Sequence, residues 1–210
     1  MRLDKFLANN GCGTRQEVKK KIQNGRITVN DVIIKTSDFK VTDKICMDGQ
    51  RIVYEKNYYI MLHKPAGYVC SAHEKGERSV LQLIKEPFKD KLFPVGRLDK
   101  DTEGLLLLTD DGPLCHNLLS PAKHVDKCYY VKTEKPVQEN TVVAFSEGLD
   151  IGDDKPTLPA KLERISDYES LVTIREGRFH QIKRMFGCYG AKVIKLHRVS
   201  MGNLVLPKDL

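Results

Sequence analysis

Four consecutive leucines, Leu105 to Leu108, closed by Thr109, restrict the fold of this chain more than any other segment. A short unbroken apolar run followed by turn residues reads as a buried strand. Directly before it lies Gly96-Arg97-Leu98-Asp99-Lys100-Asp101-Thr102-Glu103-Gly104, a polar loop bounded by glycines and carrying an arginine–aspartate pair. Loops fastened to rigid strands are where catalytic and binding groups concentrate. The chemistry of the chain is therefore expected beside this strand.

The first fifty residues have an organisation of their own. Leu3, Phe6 and Leu7 are spaced for one face of a short helix, which Asn10-Gly11 ends. Thr14-Arg15-Gln16-Glu17 is a capping box opening a second helix to about Asn24, with Val18 and Ile22 inward and its basic residues mainly outward. Arg26 to Val29, Asn30-Asp31 and Val32 to Ile34 read as strand, turn and strand. The composition turns polar around Glu55-Lys56-Asn57, which predicts domains of residues 1–56 and 57–210.

In the second domain, Tyr58 to Leu62 reads as a strand that turns at His63-Lys64-Pro65-Ala66-Gly67. Ser79 is placed to cap a helix carrying Val80, Leu81, Leu83 and Ile84. Asp110-Asp111-Gly112 reads as a turn, with Pro113 at the first position of a helix. Strands are expected at Lys127 to Val131, Lys161 to Ile165, Glu169 to Arg175 and Lys192 to Val199, and helices at Val137 to Phe145 and Phe179 to Cys188. Many strands joined by short turns predict an α+β domain, a largely antiparallel mixed sheet flanked by helices.

Charge narrows the partners. Residues 1–56 carry twelve Lys or Arg against seven Asp or Glu, and Gly177 to Ser200 carries six basic residues and no acid. Two separated basic clusters suggest a polyanion touched at two places. No apolar run approaches the roughly 18 residues of a membrane span. The start, Met1-Arg2-Leu3-Asp4-Lys5, lacks the apolar core of a secretion signal, so a cytoplasmic protein is expected. Six scattered cysteines without a Cys-x-x-Cys pair give no reason to expect a metal site or a disulfide framework.

Five carboxylates crowd the leucine strand: Asp99, Asp101, Glu103, Asp110 and Asp111. Read alone, they allow a pair of acids for glycosidic cleavage, an oxygen-ligand metal site, or turn and surface residues. Asp99 differs in following Leu98 and preceding a buried strand, so it is expected to be partly desolvated and to need a cation. A candidate cation lies in Gly177-Arg178-Phe179-His180-Gln181-Ile182-Lys183-Arg184-Met185-Phe186. There Phe179, Ile182 and Phe186 are spaced to anchor one helical face, and His180, Lys183 and Arg184 project elsewhere.

These motifs together resemble the pseudouridine synthases, of the RsuA type that acts on small-subunit ribosomal RNA. The loop order Gly-Arg-Leu-Asp-x-x-Thr-x-Gly-Leu-Leu, Lys64-Pro65-x-Gly67 and the His180-Gln181-Ile182-Lys183 stretch carry the resemblance. It implies Asp99 as the catalytic aspartate, Lys183 as the lysine paired with it, and Tyr129, in Lys127-x-Tyr129-x-Val131, as the active-site tyrosine. The lysine followed by Met-Phe resembles the small-subunit type, whereas relatives acting on the large subunit more often carry an arginine there.

Residues 1 to about 50 resemble the alpha-L RNA-binding domain named for a small-subunit ribosomal protein. The implied RNA contacts are Arg2, Arg15, Lys19, Lys20 and Arg26 in that domain, and Arg97, His180, Gln181 and Arg184 in the catalytic one. The implied reaction isomerises a uridine of 16S ribosomal RNA and needs no cofactor and no metal. The implied partner is ribosomal RNA within a small-subunit assembly intermediate, with no membrane and a monomeric protein. Open alternatives are a large-subunit target, a non-catalytic RNA-binding or assembly protein on the same scaffold, and a hydrolase that releases the base. The end at Leu210 departs from the pattern, since family members continue past Leu206-Pro207 with a glycine and further basic residues.

Overall fold

The computed structural model describes residues 2–41, 44–52, 57–71, 75–120, 123 and 125–210. Two compact units divide the chain, residues 1–56 and 57–210.

In the first unit, helix α1 (Leu3–Asn9) and helix α2 (Arg15–Gln23) pack on a sheet of strands β1 (Ile27–Val29), β2 (Val32–Ile33), β3 (Ile45–Met47) and β4 (Gln50–Ile52), ordered β2-β1-β3-β4. Both halves of the capping box form: Thr14 Oγ accepts from the Glu17 amide, and the Thr14 amide donates to the Glu17 carboxylate. Leu3, Phe6, Leu7, Val18, Ile22, Ile27, Val29 and Ile45 make one core. Arg15, Lys19 and Lys20 are left exposed on α2.

The second unit begins with β5 (Tyr59–Lys64), a small parallel pair of β6 (Tyr68–Val69) and β7 (Arg78–Ser79), and β8 (Phe93–Pro94). The leucine run is β9 (Glu103–Thr109), whose residues from Gly104 to Thr109 are all buried. Then follow α3 (Gly112–Leu119), β10 (Lys127–Thr133), α4 (Glu139–Glu147), β11 (Lys161–Arg164), β12 (Glu169–Ile174), α5 (Gln181–Gly187), β13 (Val193–Met201) and β14 (Leu204–Val205). Among the described residues the main sheet has eight strands. Six lie in the order β11-β12-β10-β13-β9-β5, and β14 and β8 attach to β13 and β9. Every pairing in it is antiparallel except β13 with β9. This is the α+β architecture expected from the strand pattern.

Three local expectations need correction. Ser79 caps a turn as foreseen, accepting from the Leu81 amide, but the helix it starts is a single 3-10 stretch, Val80–Leu83. Asp111 is more than a turn residue: its carboxylate accepts from the Leu114 amide and caps α3, so Gly112 rather than Pro113 opens that helix. Phe179 does not anchor the last helix. It is 71% exposed and stacked on His180, because His180 has a left-handed backbone (φ +48°) that delays the helix to Gln181.

The parallel pairing of β9 with β13 brings Gly104 against the Arg198 backbone. A Cβ at Gly104 would lie 2.3 Å from the Arg198 carbonyl oxygen, and its φ of +105° is one that L side chains rarely adopt. Gly104→Ala is therefore expected to destabilise the protein by about 3 kcal/mol. Urea unfolding followed by circular dichroism would measure this, and an unchanged midpoint would contradict the close approach.

Candidate active site

The loop ahead of β9 is held from below by Lys64, the last residue of β5. This lysine is fully buried. Its ammonium donates to the carbonyl oxygens of Thr102 (2.7 Å), Asp99 (3.0 Å), Pro65 (3.2 Å) and Lys100 (3.3 Å). Burial pushes its pKa below the ordinary lysine range, against the pull of Cys70, Asp101, Asp99 and Glu103. The Thr102 amide donates to the Asp99 carbonyl at 3.1 Å, and the Leu98 amide donates to Cys70 Sγ at 3.3 Å. With Leu98 itself buried, the backbone on both sides of Asp99 is tied down while its carboxylate is left to face outward partners.

Those partners come from α5 and the turn before it. Lys183 Nζ lies 2.9 Å from Asp99 Oδ2 and 2.6 Å from Asp101 Oδ1, and His180 Nε2 lies 3.6 Å from Asp99 Oδ1. Distance alone favours Asp101. Shielding favours Asp99, whose side chain is 27% exposed against 74% for Asp101, and solvent-exposed pairs contribute little. Burial pulls the Lys183 pKa down, but Asp101 and Asp99 beside it prevail and hold it above the ordinary lysine value. Asp101, which the sequence left open between an acid of a catalytic pair, a metal ligand and a hydrated surface residue, thus shares the lysine.

Tyr129 is buried on β10, and Tyr130 turns to the opposite face, where it hydrogen-bonds Glu169. Asp99, Tyr129 and His180 line two adjoining recesses. The smaller, about 70 Å³, is walled by Tyr129, Ile174, Ile182 and Leu196 as well as Asp99. The larger, about 590 Å³, runs past Asp99 and Tyr129 to Ser71, Leu119, Lys127 and Arg198. Arg97 is exposed and lines both. A carboxylate beside a cation, a buried aromatic ring and a slot with Ile174, Ile182 and Leu196 on part of its wall suit work on the sugar of a flat, uncharged base.

In the catalytic unit, two residues expected at the RNA have partners within the protein. Gln181 is buried: its amide oxygen accepts from the Arg178 backbone and its nitrogen donates to Glu176 at 2.9 Å. Arg184 donates to Asp153 (2.6 Å) and to the carbonyl oxygens of Ile151 and Phe179 (3.1 Å each). Both brace the turn that presents His180 and Lys183. In the first unit, Arg26 pairs with Asp48 and Arg2 with Asp4, whereas Arg15, Lys19 and Lys20 have no ion-pair partner among the described residues. Sequence reading gave no role to Lys64, Lys127 or Arg198. The signals for Lys64 were its place at the end of an apolar strand and its part in the Lys64-Pro65-x-Gly67 motif that carries the family resemblance.

Residues 58–187 match the RNA pseudouridylate synthase family, and residues 1–44 match the S4 domain. The chain belongs to the RNA pseudouridylate synthase family. Ribosomal small subunit pseudouridine synthase A of Pasteurella multocida is 44% identical to it over 100% of this chain and 92% of that protein. The protein of the same name from Escherichia coli K12 is 40% identical over 100% of this chain and 93% of its own. A crystal structure of a pseudouridylate synthase superposes with a TM-score of 0.71 at 42% identity, covering 100% of this chain and 92% of that one. The enzyme is thus an isomerase acting on uridine in RNA, with an N-terminal S4 domain. No helix among the described residues is long and apolar enough to cross a membrane.

The Asp101–Lys183 contact predicts a pH effect. Burial would raise the Asp101 pKa, but the hydrogen bond and charge of Lys183 outweigh it and hold the carboxyl below its ordinary range. The folded value then lies below the unfolded one. The contribution to stability is present above the unfolded value, about pH 4, and is lost as pH falls through the folded value. Asp101→Asn is expected to lower the urea midpoint slightly at pH 7, with the two curves converging in acid. Midpoints that stay equally far apart from neutral pH into strong acid would exclude the contact.

Proposed function

We propose that this enzyme converts a uridine of 16S ribosomal RNA to pseudouridine, with Asp99 as the residue that acts at the ribose. The observation that carries this reading is the Asp99 carboxylate, 2.9 Å from the Lys183 ammonium, on the wall of a recess it shares with buried Tyr129. Curated relatives named for the ribosomal small subunit, at 40 to 44% identity over the whole chain, support the choice of substrate.

The reaction detaches uracil from C1′, turns it and rejoins it through carbon, without change in mass. Asp99 either attacks the sugar or takes part in removing its neighbouring proton, and both routes call for a carboxylate at a fixed place. Lys183 balances that charge and fixes its direction. Tyr129 packs on the base, with Ile182 and Leu196 as the other walls of a slot that keeps the freed ring from escaping. A stacked or paired uridine first has to leave the helix, at a cost of a few kcal/mol. Arg97, exposed beside the nucleophile, helps fill the space it vacates, and His180 borders the same opening. Arg15, Lys19 and Lys20 add phosphate contacts that carry no sequence information. The natural substrate is an assembly intermediate of the small subunit, met in the cytoplasm by a monomeric enzyme.

Incubation with 16S RNA, naked and protein-bound, followed by carbodiimide-blocked primer extension, tests the reading. One new pseudouridine stop is expected with the native enzyme. Asp99→Asn is expected to slow its appearance by about 10³-fold or more while RNA affinity stays within about twofold of native. Wild-type rates from that variant would remove Asp99 from the mechanism.

Replacing Arg15, Lys19 and Lys20 together by alanine is expected to flatten the dependence of log affinity on log salt by about 0.7–0.9 for each phosphate no longer neutralised. An unchanged slope would separate the S4 domain from RNA binding.

A further inference from the structure

We propose that Lys127 and Arg198 form an anion subsite that takes a backbone phosphate next to the everted uridine, which builds on the reaction proposed above. Both residues line the larger recess, and both are buried, at 7% and 2% exposure. Arg198 sits opposite Tyr129 in the β10–β13 register, and Lys127 is two residues from Tyr129 on the same face of its strand. The two cations are thus neighbours on the wall that also carries the active-site tyrosine.

Neither has a counterion among the described residues. Lys127 Nζ donates to the Val125 carbonyl at 2.9 Å, and Arg198 Nε donates to the Leu105 carbonyl at 2.7 Å. Arg198 Nη2 is buried with no hydrogen-bond partner. Burial first and the Arg198 charge second push the Lys127 pKa below the ordinary lysine range, against the pull of Asp126. Glu176 lines the same recess but is committed to Arg178 (3.0 Å), the Leu158 amide (2.9 Å) and Gln181 (2.9 Å). Unpaired buried charges are costly. Two side by side call for an anion from outside.

The two recesses divide the anion candidates. Uracil suits the smaller one, where Tyr129, Ile174, Ile182 and Leu196 face Asp99, Arg97 and His180 and where neither Lys127 nor Arg198 reaches. The larger one begins at Asp99 and Tyr129 and is roomy enough for a length of strand, so the anion that reaches its cations is a phosphodiester of the same RNA. Arginine forks match phosphate oxygens well.

The test uses the full-length protein and needs no turnover. Pentauridylate and its uncharged all-methylphosphonate analogue are titrated while the Arg198 Nε–Hε signal is followed by 1H–15N NMR. Affinities of native enzyme, Lys127→Met and Lys127→Arg for pentauridylate are measured across salt. The Arg198 signal is expected to move with the charged strand and stay in place with the uncharged one. Lys127→Met is expected to bind several-fold more weakly, with a log–log salt slope flatter by about 0.7, and Lys127→Arg to recover both. Equal shifts with both strands, or a salt slope unchanged in Lys127→Met, would overturn the subsite. Should Lys127→Met fail to fold, the comparison of the two strands on native enzyme decides. Pseudouridine in 16S RNA is assayed in parallel: its absence counts against the reaction, whereas the NMR and salt data judge the subsite alone.

Discussion

The ion pair between Asp99 and Lys183 joins the two parts of the catalytic unit that carry its chemistry, the loop before β9 and the helix α5. It is not what holds them. Removing two charges from water costs several kcal/mol per ion, which their attraction barely offsets in most proteins. The anchoring falls instead to uncharged or one-sided contacts: the Lys64 ammonium under four carbonyls, Cys70 against Leu98, and the apolar seats of Ile182, Met185 and Phe186 beneath α5. The pair is free to serve orientation because its surroundings have already set its distance. The Arg184 and Gln181 networks act in the same way from the far side, fixing the turn from which His180 and Lys183 extend.

That division explains what the sequence could tell. The leucine strand, the Thr14–Glu17 capping box and the strand carrying Tyr129 were legible because each rests on neighbours within a few residues. The closeness of Asp99 and Lys183 was legible only through resemblance to a family, since nothing local joins residues so far apart. Phe179 was misread because helical spacing assumes a helix, and the left-handed backbone of His180 is decided by the braced turn around it. The contacts of Asp101 with Lys183 and of Arg184 with Asp153 were not legible for the same reason as the central pair, since each joins residues far apart in the chain.

The basic residues of this chain sort by whether the protein supplies their counterion. Arg178 and Arg184 have acids of their own and serve the fold. Arg15, Lys19 and Lys20 have none among the described residues and stand in water, where a missing counterion costs little. Lys127 and Arg198 have none among the described residues and are buried, which makes them the expensive case. In the reaction we propose, the RNA completes this last group. A ligand that supplies the missing charge to the folded state alone stabilises that state. It also offsets part of the few kcal/mol that eversion of a base demands. The free enzyme would then carry, as unpaired charge, a share of the energy that draws the strand into place beside Asp99.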